Sequence, residues 1–169
     1  VTITDDAGCT LEVPVLILGP ELLTADVQVL PITCNGACDG SIVVTPQGGN
    51  GGYTFNWTPE PPNGQGNNAA LDLCAGDWTV QITDVNGCDT TITITFTDPP
   101  LLEVQLTTTD NACFGDCIGT ATAVITGGVE PYTIIWTDGF GDTIALDTTM
   151  IGGLCVGNYV LNTTDANGC

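Results

Sequence analysis

One stretch that occurs twice constrains the fold of this chain more than any other feature. It runs from Leu73 to Cys88 as LCAGDWTVQITDVNGC and returns from Leu154 to Cys169 as LCVGNYVLNTTDANGC. Its second half also opens the chain, as VTITDDAGC from Val1 to Cys9. Copies of one signature at regular intervals indicate a repeat protein. Because the chain begins without Met and inside one copy, we expect it to be part of a longer array.

The cysteines give the length of the repeat. The first two cysteines of a repeat recur after 79 residues and the other two after 81. We therefore predict the final strands of a preceding repeat at 1–19, a complete repeat at 20–98, and a second repeat at 99–169 without its last strand. The additional residues of the second repeat are expected in the loop after Trp136. The corresponding cysteines are Cys34, Cys38, Cys74 and Cys88, then Cys113, Cys117, Cys155 and Cys169.

The same stretch predicts the class of fold. Trp78, Val80 and Ile82 alternate with polar residues, which is the period-two pattern of a half-buried strand. The next residues, 84–87, predict a turn because Asn and Gly tolerate positive φ. Many Thr, Val and Ile, with 22 Gly, favour strands over disorder. Six or seven short strands in about 80 residues predict an all-β fold of tandem immunoglobulin- or fibronectin-like β-sandwich repeats, arranged end to end.

The charge of the chain excludes several classes of function. It has 20 acidic residues and no Lys, Arg or His. Such a chain repels the phosphates of nucleic acids and the surface of anionic membranes. No apolar run reaches the length that spans a bilayer, so we expect no nucleic-acid partner and no direct membrane insertion. Without a His or Lys base, and with Ser41 as the sole Ser, the sequence predicts no catalytic residue and no enzyme.

The repeated motifs resemble those of a known family. They are the corner 34–41 (CNGACDGS), Trp57, the segment 73–76 (LCAG) and the turn 84–88 (DVNGC). Together they resemble the SprB repeat, which occurs in very large surface adhesins of gliding Bacteroidetes. The resemblance implies export to the cell surface, an adhesive or filamentous role and no enzymatic activity. The second corner departs from the pattern, because residues 117–120 read CIGT.

Nine cysteines in small predicted domains indicate disulfides and an oxidising, extracellular compartment. The alternative is a thiolate metal site, although there is no His and each repeat has one close Cys pair. Cys74 and Cys88 flank a single strand. Eight extended residues between them span about 26 Å, whereas a disulfide requires Cα atoms within about 7 Å. A bond between these two cysteines within one domain is therefore excluded.

The order of strands in such a sandwich suggests the other pairings. The corner and Cys74 lie at one pole, and the turn that carries Cys88 lies at the other. We therefore predict a bond from Cys74 to the corner residue Cys38, and the same bond between Cys155 and Cys117.

The second cysteine of the corner is then available for a neighbouring repeat. We predict that Cys34 bonds to the turn residue Cys169 of the next repeat, which would join the domains into a covalently locked rod. The alternative is a local bond between Cys34 and Cys38, with the turn cysteines free or paired elsewhere. The cysteines left for further copies are Cys9, Cys88 and Cys113.

The sequence contains candidate sites for calcium binding and for O-linked glycans. The Asp- and Asn-containing turns offer oxygen ligands for calcium between repeats, and the alternative is a hairpin turn that needs these residues for backbone reasons. No other cofactor is predicted. In the bacterial group that the resemblance implies, Asp-Thr followed by an aliphatic residue or Thr is an O-glycosylation motif. The candidate calcium ligands are Asp84, Asn86, Asp165 and Asn167, with Asp5 and Asp6, and the candidate glycan sites are Thr90, Thr143 and Thr148.

These features favour a structural and adhesive repeat module of a long extracellular filament or giant adhesin on the cell surface, acting as a disulfide-stabilised rigid stalk. Its partners are then neighbouring copies of the same repeat, in one long chain or in a homopolymeric fibre. The alternative is a carbohydrate- or ligand-binding module displayed on such a stalk, with surface glycans as partners and aromatic side chains as a sugar platform. Core packing is the competing role for those aromatics, Trp57, Trp78, Trp136 and Tyr159.

Overall fold

The computed structural model describes all 169 residues and consists of fourteen β-strands without a helix. It contains no helix long and apolar enough to span a membrane. The strands form one two-stranded sheet and four three-stranded sheets. They are β1 (Thr2–Thr4), β2 (Thr10–Glu12), β3 (Thr24–Leu30), β4 (Gly40–Gln47), β5 (Thr54–Thr58), β6 (Ala69–Leu73), β7 (Gly76–Thr83), β8 (Asp89–Phe96), β9 (Glu103–Thr109), β10 (Gly119–Thr126), β11 (Thr133–Asp138), β12 (Thr143–Leu146), β13 (Met150–Leu154) and β14 (Tyr159–Thr164).

Strands β3 to β8 form a β-sandwich that we call the first unit. One sheet has the order β3-β4-β6 and the other β5-β7-β8, and all pairs are antiparallel. The first, second and fourth strands of the unit thus share one sheet, and the third, fifth and sixth share the other. This is the division of strands in the immunoglobulin fold, and the prediction of an all-β, immunoglobulin-like architecture is confirmed.

The core of the first unit comes from strand alternation. In β4, Ile42 and Val44 are fully buried, and in β7 the same is true of Val80 and Ile82. They belong to a cluster of 11 buried residues that also contains Trp57 at 1% exposure. The indole of Trp57 donates to a backbone carbonyl, that of Asn67, at 2.9 Å, so its polar atom is satisfied. The repeated Trp is therefore a core residue and not part of an exposed sugar platform.

Strands β9 to β14 form the second unit, with sheets of the order β9-β10-β13 and β12-β11-β14. The two additional residues lie between Trp136 and Ile151, as the sequence predicted, since Ile42 faces Ala70 and Ala121 faces Ile151. This connection is not only a loop, because residues 143–146 form β12 and pair with β11. The first unit has a loop at the corresponding place, residues 59–68, and the longer connection of the second unit gives room for a strand. No strand pairs with the other edge of β14, and the core contains only five buried residues.

Residues 1–19 form the hairpin β1–β2 and an extended segment after it. The sequence predicted a strand from Thr10 to Leu18, whereas β2 ends at Glu12. The last ladder contact is the amide of Val13 with the carbonyl of Val1 at 2.9 Å, and both strands are exposed along their whole length. Val1 is the first residue of the sequence, so the ladder extends over the whole of the first strand.

Candidate functional site: the junction between the two units

A disulfide between Cys34 and Cys169 joins the two units. Cys34 lies in the corner after β3, and Cys169 lies in the turn after β14, so the bond connects residues that are 135 positions apart. A hydrogen bond lies on each side of it. The amide side chain of Asn35 donates to the carbonyl of Pro99 at 2.8 Å, and that of Asn167 donates to the carbonyl of Thr33 at 2.8 Å. The junction thus combines one disulfide with two hydrogen bonds, one donated by a residue of the first unit and one by a residue of the second.

The linker between the units lines this junction. A cleft of about 210 Å³ lies between the corner of the first unit and the turn of the second. Pro99 and Pro100 form one wall together with two leucines, and the disulfide forms another. Because proline fixes φ and has no amide donor, the linker is stiff and places few unsatisfied polar groups in this cleft. The leucines are Leu101 and Leu102.

A carboxylate shapes the corner of the first unit. The amide of Thr33 donates to Asp39 at 3.0 Å, and its hydroxyl donates to the same side chain. The hydroxyl bond and then the amide bond hold the pKa of Asp39 below its usual value. The second corner has Ile118 at this position, and there Asn111 accepts from the amides of Ile118 and Gly119, at 2.7 and 2.9 Å. Different residues therefore build the same corner in the two units.

Asp165 fixes the turn that presents Cys169. One carboxylate oxygen accepts from the amides of Asn167 and Cys169, both at 2.9 Å, and the other accepts from the amide of Val129 at 2.9 Å. The hydrogen bond from the backbone amide of Cys169 has the largest effect on the pKa of Asp165 and lowers it. Although burial opposes the charged form, the amide bonds together hold the pKa of this carboxyl below its usual value. The carboxylate thus orients the cysteine that crosses the junction.

Asp84 forms the same turn before Cys88. It accepts from the amides of Asn86 and Cys88 at 2.9 Å, and its other oxygen accepts from the amide and the side chain of Asn50. Burial has the largest single effect on the pKa of Asp84, and it raises this pKa because it disfavours the charged form. The hydrogen bonds from Cys88, Asn50 and Asn86 together outweigh burial, so the pKa lies below its usual value. Asp5 repeats the pattern with the amides of Ala7 and Cys9 at 2.9 Å. In each copy of the recurring signature, an Asp side chain therefore fixes the turn that carries a cysteine.

The remaining cysteines fall into two groups. Within the units, Cys38 bonds to Cys74 and Cys117 bonds to Cys155. The structure has no local bond between Cys34 and Cys38, the alternative that the sequence left open. The thiols without a partner are all exposed, and they are Cys9, Cys88 and Cys113.

The candidate calcium ligands lie in these same turns. The carboxylate oxygens of Asp84 and Asp165 are directed at backbone amides, and the side chain of Asn167 donates to Thr33. No group of three or more His, Cys, Asp or Glu side chains lies together in a way that could hold a metal ion. The geometry therefore gives these residues a backbone role, while calcium binding stays a prediction.

The three candidate glycan sites differ in accessibility. Thr143 is exposed at the first position of β12, which is an edge strand. Thr90 is half-buried and lies opposite Ile82, and the hydroxyl of Thr148 donates to the carbonyl of Met150 at 2.9 Å. Thr143 is thus the most accessible of the three hydroxyls.

Sequence reasoning missed the polar residues that complete the junction and its turns. Asn35 and Thr33 make contacts across the interface, and Asn50 and Asn111 support a turn and a corner. Asn35 is followed by Gly, which is a local signal for a turn and carries no information about a contact 64 residues away.

The family model described as the SprB repeat matches residues 27–61 and 106–141. No curated protein matches the chain. Among solved structures, the three N-terminal domains of the highly immunogenic outer capsid protein (Hoc) of bacteriophage RB49 share 17% identity, cover 84% of this chain and 54% of that one, and give a TM-score of 0.47.

A structure described for Dscam isoform specificity shares 14% identity, covers 89% of this chain and 44% of that one, and gives a TM-score of 0.37. The chain spans about half the length of each of these two solved structures. The family matches fall on corresponding parts of the two sandwiches, from the first strand of each unit to just beyond its third. Each unit therefore contains one stretch that matches the SprB repeat.

Proposed function

We propose that this chain is a structural module of a long extracellular surface filament or adhesin, in which disulfides between units make the array a stiff stalk. The observation that carries the proposal is the bond between Cys34 and Cys169. The SprB-type repeats and the three disulfides support a location outside the cell. The net charge of −20 supports solubility and keeps neighbouring filaments apart.

The position of the bond explains how the module resists tension. A force that enters before Cys34 and leaves at or after Cys169 crosses the disulfide between these two residues. The 135 positions between the two cysteines are then outside the path of the load. Strands β4 to β14 therefore stay folded under a force that would otherwise separate their ladders.

Single-molecule force spectroscopy tests this function. In the double variant Cys34→Ala/Cys169→Ala the load passes through both units, although the intra-unit bonds still close loops that span 36 and 38 of the 135 positions. At about 3.5 Å per residue, the variant gains about 210 Å of extension over the oxidised wild type. The matched control, Cys88→Ala/Cys113→Ala, removes two unpaired thiols and should gain nothing. Equal extension of wild type and Cys34→Ala/Cys169→Ala would overturn the proposal.

A binding module on the stalk is the second candidate, and one observation favours it. Of the four aromatics first considered for a sugar platform, the three Trp are buried and Tyr159 is half-buried, but Phe140 is 96% exposed in the loop between β11 and β12. An exposed aromatic at a loop tip is a common contact for sugars or protein partners. Screening the chain and its Phe140→Ala variant against immobilised glycans tests this candidate, and equal binding by both would exclude a role for Phe140.

A further inference from the structure

The two units end one sheet in different ways. In the first unit β5 is the edge strand of the sheet β5-β7-β8. The side chain of Gln65 closes this edge, because its oxygen accepts from the amide of Trp57 at 3.0 Å and its nitrogen donates to the carbonyl of Trp57 at 3.3 Å. In the second unit β12 pairs with β11 at this place, opposite the corresponding Trp136. The sheet thus gains one strand, and β12 becomes its edge.

The outer side of β12 has backbone groups available for a further strand. The amide of Asp147 donates to the carbonyl of Ile134 on β11 at 2.8 Å. Because the backbone groups of an antiparallel strand point alternately to its two sides, the amide and the carbonyl of Leu146 point away from β11. No other strand pairs with β12. An edge of this kind is a template on which an extended peptide can add as a strand.

Neighbouring repeats do not reach this side of the sandwich. In the first unit the strand after the turn cysteine, β8, pairs with β7, at the opposite edge of the sheet from β5. The junction uses the corner of one unit with the turn and the linker of the other, and none of its contacts involves β5, β11 or β12. The edge of β12 is therefore open to a partner even where a unit has a neighbour.

The outer face beside this edge is apolar in the second unit. Ile134 and Trp136 are buried in the second core, so Ile135 between them faces outward. Leu146 lies opposite Ile135 and is 61% exposed. In the first unit the counterpart of Ile135 is Asn56, a polar residue. The second unit thus presents aliphatic side chains next to an open edge, and the first unit has neither feature.

Acidic residues disfavour a second copy of this chain as the occupant of the edge. Asp142 precedes β12 and Asp147 follows it. Two copies of β12 paired antiparallel would place Asp142 of one copy opposite Asp147 of the other at both ends, and like charges in this position destabilise a strand pair. The chain has no Lys, Arg or His to offset this repulsion. The charge therefore favours a partner that supplies cations.

We propose that the open edge of β12 binds an extended segment of a basic partner protein. The segment adds as a strand, with its backbone on the amide and the carbonyl of Leu146. Lys or Arg at its two ends lie beside Asp142 and Asp147, and an aliphatic residue between them packs on Leu146. The site lies on the side of the sandwich, so a unit of the array carries this partner while its junctions stay intact. The inference goes beyond the proposed stalk and does not depend on the disulfide between Cys34 and Cys169.

A short basic peptide is the probe for this site. Fluorescently labelled KVTVTK, which has the length of residues 142–147, is titrated with the full chain in about 20 mM salt, and fluorescence anisotropy reports binding. The peptide EVTVTE has the same apolar pattern with the opposite charge and should not bind. About 500 mM salt should weaken the binding of KVTVTK, since the ion pairs at its ends are exposed to solvent.

Two pairs of variants identify the site. Leu146→Pro removes the edge amide and should weaken binding at least about tenfold, whereas Leu146→Val keeps the amide and an aliphatic side chain and should retain binding. Asp142→Asn/Asp147→Asn should weaken binding about fivefold through the loss of two ion pairs. Glu60→Gln/Asp98→Asn removes the same amount of charge from exposed positions of the first unit and should have no such effect.

A spectroscopic measurement locates the peptide without any variant. In ¹⁵N-labelled chain, the largest changes of amide chemical shift on addition of KVTVTK should fall on residues 143–147. No binding, equal weakening by the two double charge variants, or shift changes centred elsewhere would overturn the inference. A dimer of the chain that sedimentation detects and Leu146→Pro dissociates would also overturn it, because the edge would then belong to a second copy. None of these outcomes alters the extension measured for Cys34→Ala/Cys169→Ala, so the two proposals fail separately.

Discussion

The two units share the strand order of one sheet and the same internal disulfide, yet their cores differ in size. The first unit buries 11 residues in its core and the second buries five. Phe96 on β8 closes the first core, whereas the sequence ends at Cys169, the counterpart of the residue just before β8. Leu73 is fully buried, whereas its counterpart Leu154 is only partly buried. One edge strand thus decides whether a sandwich of this size has a closed interior.

Other differences between the units compensate each other. The facing pair Ile42 and Ala70 becomes Ala121 and Ile151, so a large and a small residue exchange places across the same ladder. Such an exchange keeps the total volume of the core nearly constant. The comparison shows that a repeat tolerates an exchange of large and small residues within one layer of its core.

The largest expected effect is the loss of stability when the disulfide within one unit is removed, and it should differ between the two units. Cys38→Ala/Cys74→Ala and Cys117→Ala/Cys155→Ala remove bonds that close loops of 36 and 38 residues, and each should lower the free energy of unfolding by about 4 kcal/mol. Because its core is smaller, the second unit should lose hydrogen-exchange protection throughout, while the first keeps part of its own. Hydrogen exchange with mass spectrometry resolves the units. Equal residual protection in both variants would contradict the role given to β8.

The next effect should make the first unit resemble the second. Phe96→Ala opens the space beside Gly40 and should destabilise the first unit by about 3 kcal/mol, since a large buried side chain is lost. Urea unfolding and hydrogen exchange measure the change. Phe140→Ala is the matched control, because Phe140 is 96% exposed and its loss should change stability by less than about 0.5 kcal/mol.

A smaller effect should stabilise the second unit. Thr163 corresponds to the fully buried Ile82, and its hydroxyl is the one buried side-chain polar atom without a hydrogen-bond partner. Thr163→Val removes that unsatisfied group with little change in shape and should raise the free energy of unfolding by about 1 kcal/mol. Thr164→Val, one position along on the exposed face, is the control. Destabilisation by Thr163→Val would show that the hydroxyl has a partner in solution.

The smallest expected effect is the loss of stability at low pH. The carboxyls of Asp84 and Asp165 have lower pKa values in the folded chain, so the folded state binds fewer protons and their contribution to stability is complete above the unfolded value, about 3.9. It is lost as the pH falls below that value through the folded pKa. Asp84→Asn and Asp165→Asn keep an acceptor for the turn and cannot ionise. Melting temperatures between pH 2.5 and 6 should fall less steeply with acid in the variants, and parallel curves would contradict the assignment.

The sequence by itself determined the repeat, the class of fold and much of the cysteine pattern. The alternation around Trp78 defines a strand because side chains alternate between the two faces with period two. That strand is long enough to keep Cys74 away from Cys88. The Asp-x-x-Gly-Cys turns are also local, since an Asp side chain accepts from amides two and four residues along the chain.

Only the tertiary structure decided what depends on distant residues. It set the contacts of Asn35 and Asn167 and the strand β12 in place of a loop. Residues 143–146 form a strand because β11 satisfies their backbone groups, and a strand exists only where such a neighbour is present. Which neighbour a segment meets depends on distant residues, so it cannot be deduced from the sequence of that segment.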